Sequence, residues 1–263
     1  MDNAAAQLIT SSTEGAVTTV VLDNPGKLNA MPLAGWAELA RVVRVHSDDD
    51  AVRCVVIRGA GDKAFCAGAD ISELPDTRGD IAAAREYGDV FAEAFNAVAD
   101  CRHPTVAAVL GACTGGGLEI ASACDIRIAG ASARFGIPIN RLGHVVCYQE
   151  METLLAVAGR GLMLEFLLEA RVIDAEEALS RGLVGRMVAD KDLDATVAET
   201  AARIAEGAPL ANRTTKQMLR RLQDPAPLTE AELDEANKIC DSEDYAEGLR
   251  AFLAKEKPDF KGR

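Results

Sequence analysis

The sequence predicts an α/β core followed by a helical tail. Short β-branched runs alternate with segments of helical apolar spacing up to about residue 190, and only helical patterning follows. At 263 residues and 49% hydrophobic content, the chain has ample material for a buried core. These observations divide it into a core over residues 1–190 and a helical C-terminal region over residues 191–263.

The elements follow in order. Val17–Leu22 is β-branched and short, as a strand requires. Residues 32–45 carry Leu33, Trp36, Leu39, Ala40 and Val43 at helical spacing, and Pro32 suits a first helical turn. Residues 52–57 read as a second strand, ended by a turn at Gly59-Ala60-Gly61-Asp62. Ile81–Ala99 is an amphipathic helix, and Pro104 resets the chain into a strand over residues 105–110. A glycine-opened helix over residues 115–124 and a strand over 125–129 come next. Beyond them lie helices over residues 192–206, 208–222, 229–240 and 242–255, four segments with no strand after them to cover. Asp174 with Glu177 and Thr229 with Glu232 have the spacing of capping boxes.

Charge and composition exclude several functions. A net charge of −13 and a pI near 4.8 repel phosphate backbones, so no nucleic-acid partner is expected. No stretch approaches the roughly 20 apolar residues of a membrane span. Residues 1–15 lack the basic start and apolar run of a signal peptide. Cys54, Cys66, Cys101, Cys113, Cys124, Cys147 and Cys240 form no C-x-x-C pair and read as reduced thiols of a cytoplasmic protein. With only His46, His103 and His144 present, no metal site is expected.

The motifs narrow the chemistry. Gly59-x-Gly61-x-x-Ala64 loosely matches a dinucleotide fingerprint, but Phe65-Cys66-Ala67-Gly68 does not open a helix, so a tight turn is the better reading. Small residues around Gly68 let a backbone approach a ligand. Gly115-Gly116-Gly117 precedes a helical run and frees the first N–H groups of that helix for an outside acceptor, the chemistry of an oxyanion hole. Glu119 stands in the apolar run Leu118-Glu119-Ile120-Ala121. A carboxylate buried there is costly unless used, and a raised pKa would suit it to proton transfer. No G-x-S-x-G is present, and His103, without a local partner, reads as structural.

Taken together, these segments resemble the crotonase (enoyl-CoA hydratase/isomerase) family. The likeness runs through Lys27-Leu28-Asn29-Ala30-Met31, residues 64–70, residues 103–109, Gly115-Gly116-Gly117-Leu118-Glu119, Cys124-Asp125, Phe135-Gly136-Ile137-Pro138, residues 181–184 and residues 251–260. It implies a spiral of ββα repeats with a helical C-terminal trimerisation region, assembled as a homotrimer or a dimer of trimers. It implies an acyl-CoA substrate, with coenzyme A part of that substrate and no separate cofactor. By the resemblance, the N–H groups of Ala69 and Gly116 polarise the thioester carbonyl and Glu119 is catalytic. Lys27, Leu28, Lys63, Ala64, Ala67, Asp70 and Ile71 border the CoA path, and Phe252 and Lys255, on this subunit or a neighbour, reach its nucleotide end.

One departure bears on mechanism. Family hydratases use a second glutamate twenty residues after the first, where this chain has Ile139. Ile139, His144 and Cys147 are candidate acyl-pocket residues, Tyr148 and Glu150 are close in sequence, and His144, Cys147 or Glu150 are the nearby groups that could replace the second glutamate. The resemblance implies an enoyl-CoA hydratase-like lyase of fatty acid metabolism that stabilises an enolate, with the second catalytic glutamate absent. Residues 70–75 and 241–248 also resemble the methylmalonyl-CoA decarboxylase branch. A decarboxylase of a short branched malonyl-type CoA is therefore an alternative, as is a non-catalytic acyl-CoA-binding protein.

Overall fold

The computed structural model describes residues 7–263. The reading of the first residues as lacking a signal peptide falls partly on residues 1–6, outside those described. The chain opens with a hairpin, β1 (Ile9–Glu14) and β2 (Val17–Leu22), turning at Gly15 with φ 58°. Helix α1 (Leu33–Asp48) follows.

Three strand pairs then wind as a spiral. They are β3 (Cys54–Gly59) with β4 (Ala64–Cys66), β5 (Thr105–Val109) with β6 (Ala112–Thr114), and β7 (Ile126–Gly130) with β8 (Arg134–Gly136). The first strand of each pair joins a six-stranded sheet ordered β1-β2-β3-β5-β7-β10; the second joins a four-stranded sheet ordered β4-β6-β8-β9. A helical segment closes each turn: α2 (Leu74–Thr77) and α3 (Ile81–Ala99), then α4 (Gly116–Ala123), then α5 (Tyr148–Leu168), which Gly159 interrupts. Strand β9 (Val172–Asp174), helix α6 (Ala175–Ser180) and strand β10 (Arg186–Val188) end the spiral. Neighbouring strands within β2-β3-β5-β7-β10 are parallel, as crossover helices require.

The main core fills the space between the sheets and α1, α3, α4 and α5, with Trp36, Phe65, Phe135 and Phe166 fully buried. A second cluster lies under α7 (Leu193–Glu206), where Leu193, Val197 and Ala201 cover Cys54, Val56, Val106 and Ile128. This corrects one expectation, because the first tail helix does have a sheet to cover. The rest of the tail is α8 (Pro209–Arg221), α9 (Glu230–Leu233), α10 (Glu235–Lys238) and α11 (Glu243–Ala254). Lys216 of α8 pairs with Asp125 at 2.8 Å and donates to the His103 carbonyl, tying the tail to the core. His103 is buried with Nε2 against the Asp49 carbonyl, a structural position.

Several elements differ from the sequence expectation. Residues 229–240 form α9, α10 and a 3-10 turn rather than one helix; every residue from 221 to 240 is at least partly exposed, so no packed face enforces regularity. Strand β1 went unread because its burial is confined to its first two residues. The short strands β4, β6, β8, β9 and β10 are three residues each, below the length at which alternation is legible. The Gly59–Asp62 segment is a turn between β3 and β4, not a helix start. A Cβ at Gly59 would lie 2.1 Å from the Ala64 carbonyl oxygen, so the close approach itself demands glycine.

Candidate active site

The four-stranded sheet and the start of α4 build one wall of a cavity of about 590 Å³. Sterics fix this wall. Gly68 has φ 101°, and a Cβ there would sit 2.9 Å from the Thr114 carbonyl oxygen and 3.2 Å from the Gly116 nitrogen. The glycines of the triplet have separate reasons. Gly115 takes φ 52°; a Cβ on Gly116 would press Phe91 and Trp36 at 3.1 and 3.2 Å; one on Gly117 would fall 2.1 Å from the Cys66 carbonyl oxygen.

This contact brings two backbone donors to the cavity. Met31 bridges to Ala69 through bonds made by the Gly68 carbonyl and the Asp70 N–H, so the Ala69 N–H is turned the other way. The Gly116 N–H opens helix α4 and has no partner within it. Among the described residues neither N–H has an acceptor. The Thr114 hydroxyl donates to the Ala67 carbonyl at 3.1 Å, locking the two loops together.

Glu119 lies one turn into α4 and is only 4% exposed. It makes no side-chain hydrogen bond among the described residues. Burial, and then the nearby Glu150 carboxylate, push its carboxyl well above the usual range, with Arg78 opposing. Burial therefore favours its protonated form, which suits the group to delivering a proton.

The opposite wall comes from the 3-10 turn at Ile139–Leu142 and the start of α5, with Ile139, Leu142, Gly143, His144 and Glu150 lining it. The Glu150 Oε2 accepts the Cys147 N–H at 3.0 Å, which places Glu150 in the first turn of α5. Desolvation first, and then Arg78, lower the pKa of His144. An aromatic floor completes the cavity. The Trp36 Nε1 donates to the Tyr87 hydroxyl at 2.9 Å, Trp36 meets Phe91 edge-on at 4.9 Å, and the Arg78 guanidinium lies 4.1 Å from the centre of the Tyr87 ring.

Of the residues anticipated from sequence, the cavity gathers Glu119, Ala69, Gly116, Ala67, Ile71, Ile139 and His144. Lys27, Leu28, Lys63, Ala64, Asp70 and Cys147 do not line it. Lys27 pairs with Asp70 at 2.5 Å, and that hydrogen bond holds the Asp70 carboxyl below the usual carboxylate range. Ala64 is buried in β4, whereas Lys63 and Cys147 are exposed. Phe252 is exposed and borders a separate apolar groove in the tail; Lys255, at the end of α11, is also exposed. Sequence reasoning missed Arg78, Tyr87 and Trp36 as cavity residues, and named Glu150 only beside His144 and Cys147 as a group that could replace the second glutamate. Helical spacing marks Trp36 and Tyr87 as core, but nothing in the pattern around Arg78 says which way it faces.

No helix among the described residues is long and apolar enough to cross a membrane, and all seven cysteines are free thiols. The family model for enoyl-CoA hydratase/isomerase matches residues 12–263. The chain is 36% identical to a short-chain-enoyl-CoA hydratase of Clostridium acetobutylicum, over 95% of this chain and 96% of that protein. It is 33% identical to a crotonyl-CoA hydratase of Syntrophomonas wolfei, over 94% and 95% of the respective chains. A crystal structure of an enoyl-CoA hydratase/carnithine racemase from Magnetospirillum magneticum superposes with a TM-score of 0.96 at 46% identity, covering 98% of this chain and 97% of that one. With the ββα spiral and its glycine-built cavity, these likenesses establish that the chain belongs to the enoyl-CoA hydratase/isomerase family.

Proposed function

We propose that this protein hydrates the double bond of a 2-enoyl-CoA thioester. The observation that carries the reading is the buried, unpaired Glu119 in one cavity with the free N–H groups of Ala69 and Gly116. Those two donors receive the thioester oxygen, and the start of α4 adds favourable potential as that oxygen becomes an enolate. Hydration forms a C–O bond at C3 and a C–H bond at C2 while the π bond is consumed. It therefore needs a group that gives a proton and a group that takes one. Glu119, whose burial favours the protonated form, supplies the proton to C2. Ile139 cannot take the proton of the attacking water, but Glu150 faces the same cavity from the other wall and fills that role. Exchange with solvent then restores both groups. Lys27, Leu28, Lys63, Ala64, Ala67, Asp70 and Ile71 border the CoA path in this reading, and no cofactor beyond the CoA of the substrate is required.

Phe252 and Lys255 belong to the assembled particle, a homotrimer or dimer of trimers. Exposed Leu219, Leu222, Leu233, Phe252 and Leu253 support self-association through the tail. Light scattering at micromolar concentration is expected to give three or six times the chain mass, and a monomer would refute the assembly.

Incubation with enoyl-CoA and malonyl-type CoA panels, read by mass spectrometry, tests the reaction. A gain of one water on crotonyl-CoA or a related enoyl-CoA is expected. Loss of carbon dioxide from a malonyl-type thioester would instead favour the decarboxylase, and binding without any change of mass a non-catalytic acyl-CoA-binding protein.

A further inference from the structure

The cavity holds a cation that the hydration chemistry does not use. Arg78 ends α2, and its guanidinium stacks on Tyr87 of α3 in a cavity whose apolar lining includes Trp36, Ile81, Phe91 and Ile139. Its Nε is buried without a hydrogen-bond partner. A buried donor such as this Nε is costly unless something accepts from it.

Three carboxyl groups share the cavity, and none pairs with Arg78 within ion-pair distance among the described residues. Asp80 caps α3 by accepting the Ala83 N–H. Glu150 accepts the Cys147 N–H. Glu119 is buried, which favours its neutral form, and makes no ion pair with Arg78 among the described residues. The planar fork of a guanidinium fits a carboxylate better than any other common acyl substituent, and the ring beneath it fixes its plane.

We propose that Arg78 binds a carboxylate carried on the acyl chain, so that the preferred substrates are CoA thioesters of dicarboxylic acids. The inference rests on the reading of this cavity as an acyl-CoA site and deepens it by naming the substrate class. With the thioester oxygen at Ala69 and Gly116, the acyl chain spans the cavity and its far end meets Arg78. An unsubstituted acyl chain of the same length leaves the buried Arg78 Nε without an acceptor and is bound more weakly.

The test compares two saturated thioesters by calorimetry, glutaryl-CoA against butyryl-CoA, which differ by one carboxylate and undergo no hydration. Wild-type protein is expected to bind glutaryl-CoA about 10–100-fold more tightly, the range for a charge-assisted pair. Arg78→Gln is expected to bring that ratio toward one, and Arg78→Lys to restore part of it. Equal affinities in the wild type, or a ratio unmoved in folded Arg78→Gln, would overturn the proposal and leave Arg78 as a prop between α2 and α3. The same pair in unsaturated form, glutaconyl-CoA and crotonyl-CoA, separates this inference from the hydratase reading. If neither gains water while glutaryl-CoA still binds preferentially through Arg78, the hydration fails and the carboxylate site stands.

Discussion

The two walls of the cavity are built by opposite means. The wall of Gly68 and Gly115–Gly117 is backbone: a Cβ on Gly68, Gly116 or Gly117 would meet a carbonyl oxygen or an aromatic ring, and Gly115 is held at φ 52°. The wall from Pro138 to Glu150 is made of side chains, and Leu142 on it is largely exposed, as are Val145 and Tyr148 beside it in sequence. The first wall leaves its residues almost no choice and, in the proposed function, presents donors to a thioester oxygen whatever the acyl group. The second can change without unfolding the core, so it can set which proton moves and which acyl chain fits. The difference explains how Ile139 can stand where the sequence resemblance leads to the expectation of a glutamate while the glycine wall stays intact.

Substitutions on each wall sharpen this contrast. Gly116→Pro removes the N–H but keeps a residue suited to the first helical turn. Because its Cβ would also press Phe91 and Trp36, Gly116→Ala is the control for that strain. The proline variant is expected to turn over about 10²–10³-fold more slowly than the alanine variant, the usual loss for one oxyanion donor. Equal rates would remove Gly116 from the donor pair.

On the side-chain wall, Glu150→Gln keeps an oxygen to accept the Cys147 N–H but cannot take a proton. Hydration is expected to fall about 10²-fold at unchanged thermal stability. If instead stability falls and the rate does not, Glu150 is a cap alone and the water is activated elsewhere.

A smaller effect concerns stability. The Glu119 carboxyl has an ordinary value of 4.5 and is raised by folding. Above pH 4.5 the unfolded chain releases a proton that the folded chain keeps, so stability is full below 4.5 and declines as pH rises toward the raised value. Glu119→Gln lacks this penalty. Its melting temperature is expected to match the wild type at about pH 4 and to exceed it by at least about 2 °C at neutral pH. An identical offset at both pH values would show that Glu119 titrates as an exposed glutamate does.

Much of the donor wall was legible in the sequence because glycine declares it. Three consecutive glycines before Leu118-Glu119 have few structural uses, and a carboxylate between leucine and isoleucine marks itself. Strands β2, β3, β5 and β7 were readable from β-branched runs, and α3 from its periodicity. The side-chain wall was not readable in the same way. Residues 137–150 carry neither strand alternation nor a clear helical stripe before α5 begins, and whether Glu150 or Cys147 faces inward depends on where that helix starts. Arg78 ends a four-residue helix and turns inward only because Tyr87 stands beneath it, a relation nine residues apart that no pattern announces. The helical tail was legible as helices, but its first member packs on the sheet through α7 contacts that sequence spacing does not reveal.

The central claim is that backbone binds the thioester while Glu119 moves the proton. The most direct measurement is kcat for enoyl-CoA hydration in Glu119→Gln beside the wild type, with the Kd of acetoacetyl-CoA determined for both. A fall in kcat of about 10²–10⁴-fold with little change in Kd is predicted. Full activity in folded Glu119→Gln would contradict the account and move the chemistry to the wall beyond Ile139.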